Sequence, residues 1–138
     1  MNRMIFVNLP VSDLAASRAF YTGLGFSVNE MFSDDSAVSI VVSDTIVLML
    51  LTRERFGDFV TGPVGDPRTA TTSICCLSAG SPQEVDDLVS RALASGGGEW
   101  LPRMQEGPMY GHSFTDPDGH VWEVLHMDLG AIDGARTG

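Results

Sequence analysis

Basic residues are scarce in this chain of 138 residues. It contains only 8 Lys and Arg against 18 Asp and Glu, which gives a formal net charge of −10 at pH 7. Binding to nucleic acid or to an anionic membrane surface depends on clustered Lys and Arg. The composition therefore predicts neither nucleic acid nor membrane as a partner, and it tolerates cationic ligands.

Cysteines and long apolar runs are also scarce. The only cysteines, Cys75 and Cys76, are adjacent, and adjacent strand residues point to opposite faces, so we predict two reduced thiols instead of a disulfide. The longest apolar run, residues 46–51, is too short to span a bilayer. Residues 1–10 lack the pattern of a secretory signal, so we expect a cytoplasmic protein.

The same order of elements is predicted twice along the chain. In the first half, Asp13 marks a helix start that follows a strand. In the second half, Ser81 and Glu84 form a capping box, with Pro82 at the first helical position. Three strand candidates follow each helix, at residues 26–32, 37–42 and 45–51 and again at residues 99–105, 109–115 and 120–126.

This repeat predicts an α+β fold made of two βαβββ modules. The first module is assigned to residues 1–52 and the second to residues 72–127. Residues 53–71 form a joint with a short helix near residues 55–59, and residues 128–138 form a mobile tail. At this length we expect the modules to share a core as one structural domain.

A turn and strand near the end of the chain carry one carboxylate among apolar residues. Residues 116–119, Asp-Pro-Asp-Gly, have the composition of a tight turn. In the strand that follows, Val121, Glu123 and Leu125 share a face. On an apolar face, Glu123 requires a partner, a ligand or a metal; the alternative is a solvated carboxylate on an edge strand.

Three segments resemble the vicinal oxygen chelate superfamily, namely residues 7–14, 19–26 and 116–123. That superfamily includes glyoxalase I, extradiol dioxygenases, bleomycin-resistance proteins and fosfomycin-modifying enzymes. The resemblance covers about residues 1–127. It implies two βαβββ modules whose strands form a curved, cup-shaped mixed sheet, often completed by a dimer. The fold by itself does not define a function.

The resemblance also implies metal ligands on the first and last strands of each module. The matching first-strand positions hold Phe6 and Ile74, and Leu48 lies near the position in the last strand of the first module. None of these side chains binds a divalent metal, and only Glu123 matches its position. Because catalytic zinc sites generally need three protein ligands, we expect no cofactor; the alternative is a divalent metal ion at a remodelled site.

His112 is the candidate partner of Glu123. A four-residue loop would pair Thr115 with His120 and place His112 opposite Glu123, on the face of the cup. That arrangement predicts a catalytic acid–base pair or two ligands of a rebuilt metal site, and a purely structural hydrogen bond remains open.

Further residues are candidates for contact with a ligand. Asn8 and Cys76 lie two residues beyond Phe6 and Ile74, and so on the same strand faces. Aromatic and thioether side chains suit an adaptable apolar pocket. The predicted ligand-binding set is Phe6, Asn8, Leu48, Ile74, Cys76, Trp100, Met104 and Tyr110.

Two functions remain open at this point. The first is a metal-independent protein of the bleomycin-resistance kind, which holds a neutral or cationic, partly aromatic small molecule in its cup. The second is a metal-dependent lyase or dioxygenase whose remodelled site uses His112 and Glu123. In either case we expect a homodimer, because a second chain would cover the exposed strand edges.

Overall fold

The computed structural model describes residues 2–128 and divides the chain into two units, Met1–Ala70 and Thr71–Gly138. Apart from Asp128, the predicted tail lies outside the described residues. The helices and strands are β1 (Ile5–Val11), α1 (Leu14–Gly23), β2 (Ser27–Asn29), β3 (Ala37–Val41), β4 (Ile46–Thr52), α2 (Arg53–Gly57), β5 (Ile74–Ser78), α3 (Pro82–Ala94), β6 (Gly98–Glu99), β7 (Met104–Glu106), β8 (Met109–Thr115) and β9 (Val121–Met127). A 3-10 helix, Glu30–Phe32, follows β2.

The first unit is a four-stranded mixed sheet in the order β1-β4-β3-β2, in which only β1 and β4 are parallel. Helix α1 begins where the sequence predicts, because the Asp13 carboxylate accepts a hydrogen bond from the Ala16 backbone N–H at 3.1 Å. Ile40, Leu48 and Phe20 are completely buried and form the core between this sheet and α1.

The second unit repeats this arrangement, with the strand order β5-β9-β8-β6 and with β7 also paired to β8. Helix α3 forms one bond of the predicted capping box, since Ser81 Oγ accepts from the Glu84 backbone N–H. The Glu84 carboxylate accepts from the N–H of Gly80, one residue before the cap, at 2.6 Å. Helix α3 lies against β8 and β9, and Phe114 and Trp122 are buried there. The α+β class and the two βαβββ units are confirmed, as two open mixed sheets.

Two predicted strands are shorter than the sequence suggests. The candidate at residues 26–32 ends at Asn29, whose side chain accepts from the Met31 N–H and caps the 3-10 helix. The candidate at residues 99–105 is split into β6 and β7. Between them the Leu101 backbone N–H donates to Ser113 Oγ, at 2.9 Å, and the same hydroxyl donates to the Leu101 carbonyl. At Leu101 the Ser113 side chain thus makes the hydrogen bonds that a neighbouring strand would otherwise make with the backbone.

The predicted joint belongs to the first unit up to Ala70. Its short helix is α2, which begins slightly earlier than predicted, at Arg53. The Arg53 guanidinium donates to the carbonyls of Val64 and Gly65, which holds the irregular passage beyond α2. Within residues 2–128, no helix has both the length and the apolar character needed to cross a membrane.

Candidate functional site

The sheet of the second unit presents Glu123 in the middle of one face. Its register neighbours are Cys76 on β5 and Ser113 on β8. Glu123 and Cys76 are exposed, and Ile74, on the same face, is 52% exposed. The structure therefore brings together three predicted site residues, Ile74, Cys76 and Glu123, and we call this surface the Glu123 face.

Neither of the polar neighbours of Glu123, Ser113 and Cys76, forms a hydrogen bond to its carboxylate within residues 2–128. The Ser113 hydroxyl is engaged with the Leu101 backbone. Partial burial raises the pKa of the Cys76 thiol, and the negative charge of Glu123 raises it further, so the thiol stays protonated near neutral pH. Within residues 2–128, no hydrogen bond or ion pair joins the Glu123 carboxylate to another residue.

An apolar ledge adjoins Glu123 on the same face. Leu125 lies two residues further along β9, and Met104 on β7 pairs with Gly111 on β8. A Cβ at Gly111 would lie 3.2 Å from Leu125 Cδ1 and 3.6 Å from Met104 Cε. The two apolar side chains thus lie over Gly111, and the predicted ligand contact Met104 belongs to the Glu123 face.

The first unit has a corresponding face that contains Phe6. Phe6 is 55% exposed, and Asn8 is exposed on the same face, with Val47 and Met49 as their register partners. The Asn8 side-chain amide donates only a long hydrogen bond, 3.4 Å, to the Phe6 carbonyl. The prediction that Phe6 and Asn8 share a face is confirmed.

Leu48 does not lie on the Phe6 face. It alternates with Val47 and Met49 along β4, so its side chain points to the opposite side of the sheet, where it is completely buried. The prediction that Leu48 accompanies Phe6 is therefore wrong in its placement.

The predicted pairing of His112 with Glu123 is also wrong. Thr115 pairs with Val121, so the loop has five residues instead of four, and His112 lies opposite Val124. Asp116 is the cause: it is 2% exposed, and its carboxylate accepts from the backbone N–H groups of residues 118 and 120 at 2.9 Å. A register shift of one residue moves His112 to the face opposite Glu123.

Tyr110 shares the face of His112, on the side covered by α3. Its hydroxyl donates to Asp86 on α3 at 2.6 Å, and Arg103 Nε lies 3.4 Å from the same carboxylate oxygen. The hydrogen bond to Asp86 raises the pKa of Tyr110. The structure thus places this predicted ligand contact in a polar cluster with Asp86 and Arg103, two residues that the sequence analysis did not single out.

Trp100, the remaining predicted contact, precedes Leu101 in the segment between β6 and β7. It is 43% exposed, whereas the other tryptophan, Trp122, is 2% exposed. The Leu101 backbone donates a hydrogen bond to Ser113, and Ser113 is the register neighbour of Glu123. The segment that carries Trp100 therefore adjoins the Glu123 face.

The described side chains of each unit supply fewer metal ligands than the superfamily resemblance implies. In the part of the chain that the structure describes, no group of three or more His, Cys, Asp or Glu residues could hold a metal ion. The implied ligand positions hold Phe6 and Ile74, and Glu123 lacks the predicted company of His112. One carboxylate does not retain a catalytic metal against water.

This fold has counterparts among known proteins. Residues 3–43 match the family described as Bleomycin resistance protein-like N-terminal. No curated protein matches the chain in sequence. The hypothetical protein SA1046 from S. aureus is 26% identical, with a TM-score of 0.76 over 91% of this chain and 94% of that one.

Two further solved structures share the fold at lower identity. A lactoylglutathione lyase from Agrobacterium tumefaciens is 21% identical, with a TM-score of 0.66 over 94% of this chain and 96% of that one. A bleomycin resistance determinant encoded on the transposon Tn5 is 22% identical, with a TM-score of 0.63 over 91% and 98% of the two chains. The family match over residues 3–43 confirms a resemblance to bleomycin-resistance proteins, and the two structures share the fold of this chain. Both findings agree with the predicted resemblance to the vicinal oxygen chelate superfamily.

Proposed function

We propose that this protein binds a neutral or cationic, partly aromatic small molecule and that binding needs no divalent metal. The observation that carries the proposal is the exposure of Phe6 and Ile74 to solvent. Both occupy positions at which the superfamily resemblance implies metal ligands, and both leave more than half of their side-chain surface exposed. Exposed apolar side chains at such positions suit contact with an apolar ligand.

The overall charge supports the choice of ligand class. A net charge of −10 creates a negative field that attracts cations and repels acids. Phosphonates and negatively charged thiol conjugates are therefore poor candidates, whereas a neutral or cationic aromatic compound is compatible with both the field and the apolar side chains.

The Tn5 structure, which shares the fold, is named as a bleomycin resistance determinant, the kind of protein with which the proposal compares this chain. The name of the lactoylglutathione lyase gives a precedent for the alternative, an enzyme of lyase or dioxygenase type. The register of β8 and β9 does not favour that alternative, because it places His112 and Glu123, the two residues of the remodelled site, on opposite faces of the sheet.

A thermal-shift screen in the presence of a chelator tests the proposal. A ligand that binds only the native state at 100 times its Kd raises the free energy of unfolding by about 2.7 kcal/mol. Cationic and aromatic compounds are expected to raise Tm under these conditions, and acidic thiol conjugates are not. Stabilisation only by the acidic conjugates, and only after addition of a divalent metal, would favour the alternative, a metal-dependent lyase or dioxygenase.

Matched substitutions show whether the ligand contacts the predicted residues. Phe6→Ala is compared with Phe32→Ala, since Phe32 is 63% exposed but lies on the 3-10 helix. Ile74→Ala is compared with Ile5→Ala, since Ile5 is 56% exposed. The ligand-induced rise in Tm is expected to fall in Phe6→Ala and Ile74→Ala and to persist in the two controls.

A further inference from the structure

On the Glu123 face, the Glu123 carboxylate lies beside apolar side chains and away from the other carboxylate of that face. According to the register of β5, β7, β8 and β9, its ionisable carboxylates are Glu123 and Glu106, and these four strands place no Lys or Arg on it. Glu106 pairs with Met109, four residues along β8 from the partner of Glu123. That spacing is about 13 Å at 3.3 Å per residue, so Glu123 stands apart from the other carboxylate.

The surroundings of Glu123 suit a ligand with one charged end and one apolar end. On one side lies the ledge of Leu125 and Met104 over Gly111, and on the other lies Ile74, which is half exposed. Among the described residues, a metal ion would find only the Glu123 carboxylate and the Cys76 thiol here, fewer than the three protein ligands of a catalytic metal site. An ammonium group needs only one carboxylate and can place its carbon chain on the ledge.

We propose that Glu123 is the counter-charge for the ammonium group of a protonated organic amine whose apolar body lies against Leu125 and Met104. This inference rests on the proposed binding function and narrows its ligand to monovalent organic cations. Among residues 2–128 no side chain pairs with this carboxylate, and the ammonium group of the ligand would supply a hydrogen-bond donor to it.

The test uses three compounds of similar shape: 4-phenylbutylamine, which is protonated at pH 7, the neutral 4-phenylbutan-1-ol, and the anion 4-phenylbutyrate. Their dissociation constants are measured with chelator present, from NMR shifts of the Ile74 and Leu125 methyl groups. Exposed ion pairs are weak, so we expect the amine to bind about fivefold more tightly than the alcohol. The anion is expected to bind more weakly than the alcohol.

Glu123→Gln keeps the size of the side chain and removes its charge, so it should reduce the affinity for the amine to that for the alcohol. Glu106→Gln removes the same charge from the same face, beyond the screening length of about 10 Å at 0.1 M salt, and should retain the preference. In the unmodified protein, the preference should shrink as NaCl rises from 50 mM to 1 M.

Equal binding of amine and alcohol, or a preference that survives Glu123→Gln, would overturn the inference while leaving the proposed binding function intact. Absence of any methyl shift with all three compounds would overturn it as well. The proposed function itself is decided separately, by the thermal-shift screen, so the two failures can be told apart.

Discussion

Leu48→Ala tests whether Leu48 is a core residue or, as the sequence predicts, a contact for the ligand. Leu48 is completely buried, between neighbours on β1 and β3, and Ile40, its partner on β3, is also completely buried. Truncation removes buried carbon atoms and leaves a cavity that a rigid sheet fills poorly. We expect a loss of about 3 kcal/mol in the free energy of unfolding.

Urea denaturation followed by far-UV circular dichroism measures this loss. With a slope of about 2 kcal/mol/M, the midpoint should fall by roughly 1.5 M without a change in slope. Ile5→Ala is the control, because Ile5 shares the sheet face of Leu48 but is 56% exposed, and it should cost less than about 0.5 kcal/mol. Equal midpoints for the two variants would refute the assignment of Leu48 to the core.

Three other predictions follow from the second unit and from the sheet edges. The hydrogen bond to Asp86 raises the pKa of Tyr110. The stability that this hydrogen bond contributes is therefore complete below about pH 10, the usual pKa of tyrosine, and is lost as the pH rises through the higher pKa of the folded state. The difference in Tm between the unmodified protein and Tyr110→Phe should shrink over that range. In a Cys75→Ser background, Glu123→Gln should speed the alkylation of Cys76 by iodoacetamide at pH 8, because partial burial and then Glu123 raise the thiol pKa, and an unchanged rate would contradict that coupling. We also propose a homodimer, because each sheet ends in edge strands, which a second chain can cover; sedimentation that shows only monomer at micromolar concentration would rule it out.

Local sequence features determined where the helices begin and which residues of one strand share a face. Asp13 and Ser81 cap α1 and α3 as predicted, because a cap depends on side chains and N–H groups within three residues. Phe6 with Asn8, and Ile74 with Cys76, lie on common faces as predicted, because alternation along a strand is a property of its own backbone.

The tertiary structure alone decided how neighbouring strands align, and with it the composition of the candidate site. The loop after β8 gains one residue because Asp116 is buried and bonds two backbone N–H groups, which the turn residues by themselves do not reveal. That one residue transfers His112 to the helix-covered side of the sheet and leaves Glu123 beside Cys76 and Ser113. The register of β8 and β9 depends on the burial of Asp116, and that of β5 and β9 on pairing between strands that are distant in the chain. The local sequence therefore identifies Glu123 as exceptional but not its neighbours.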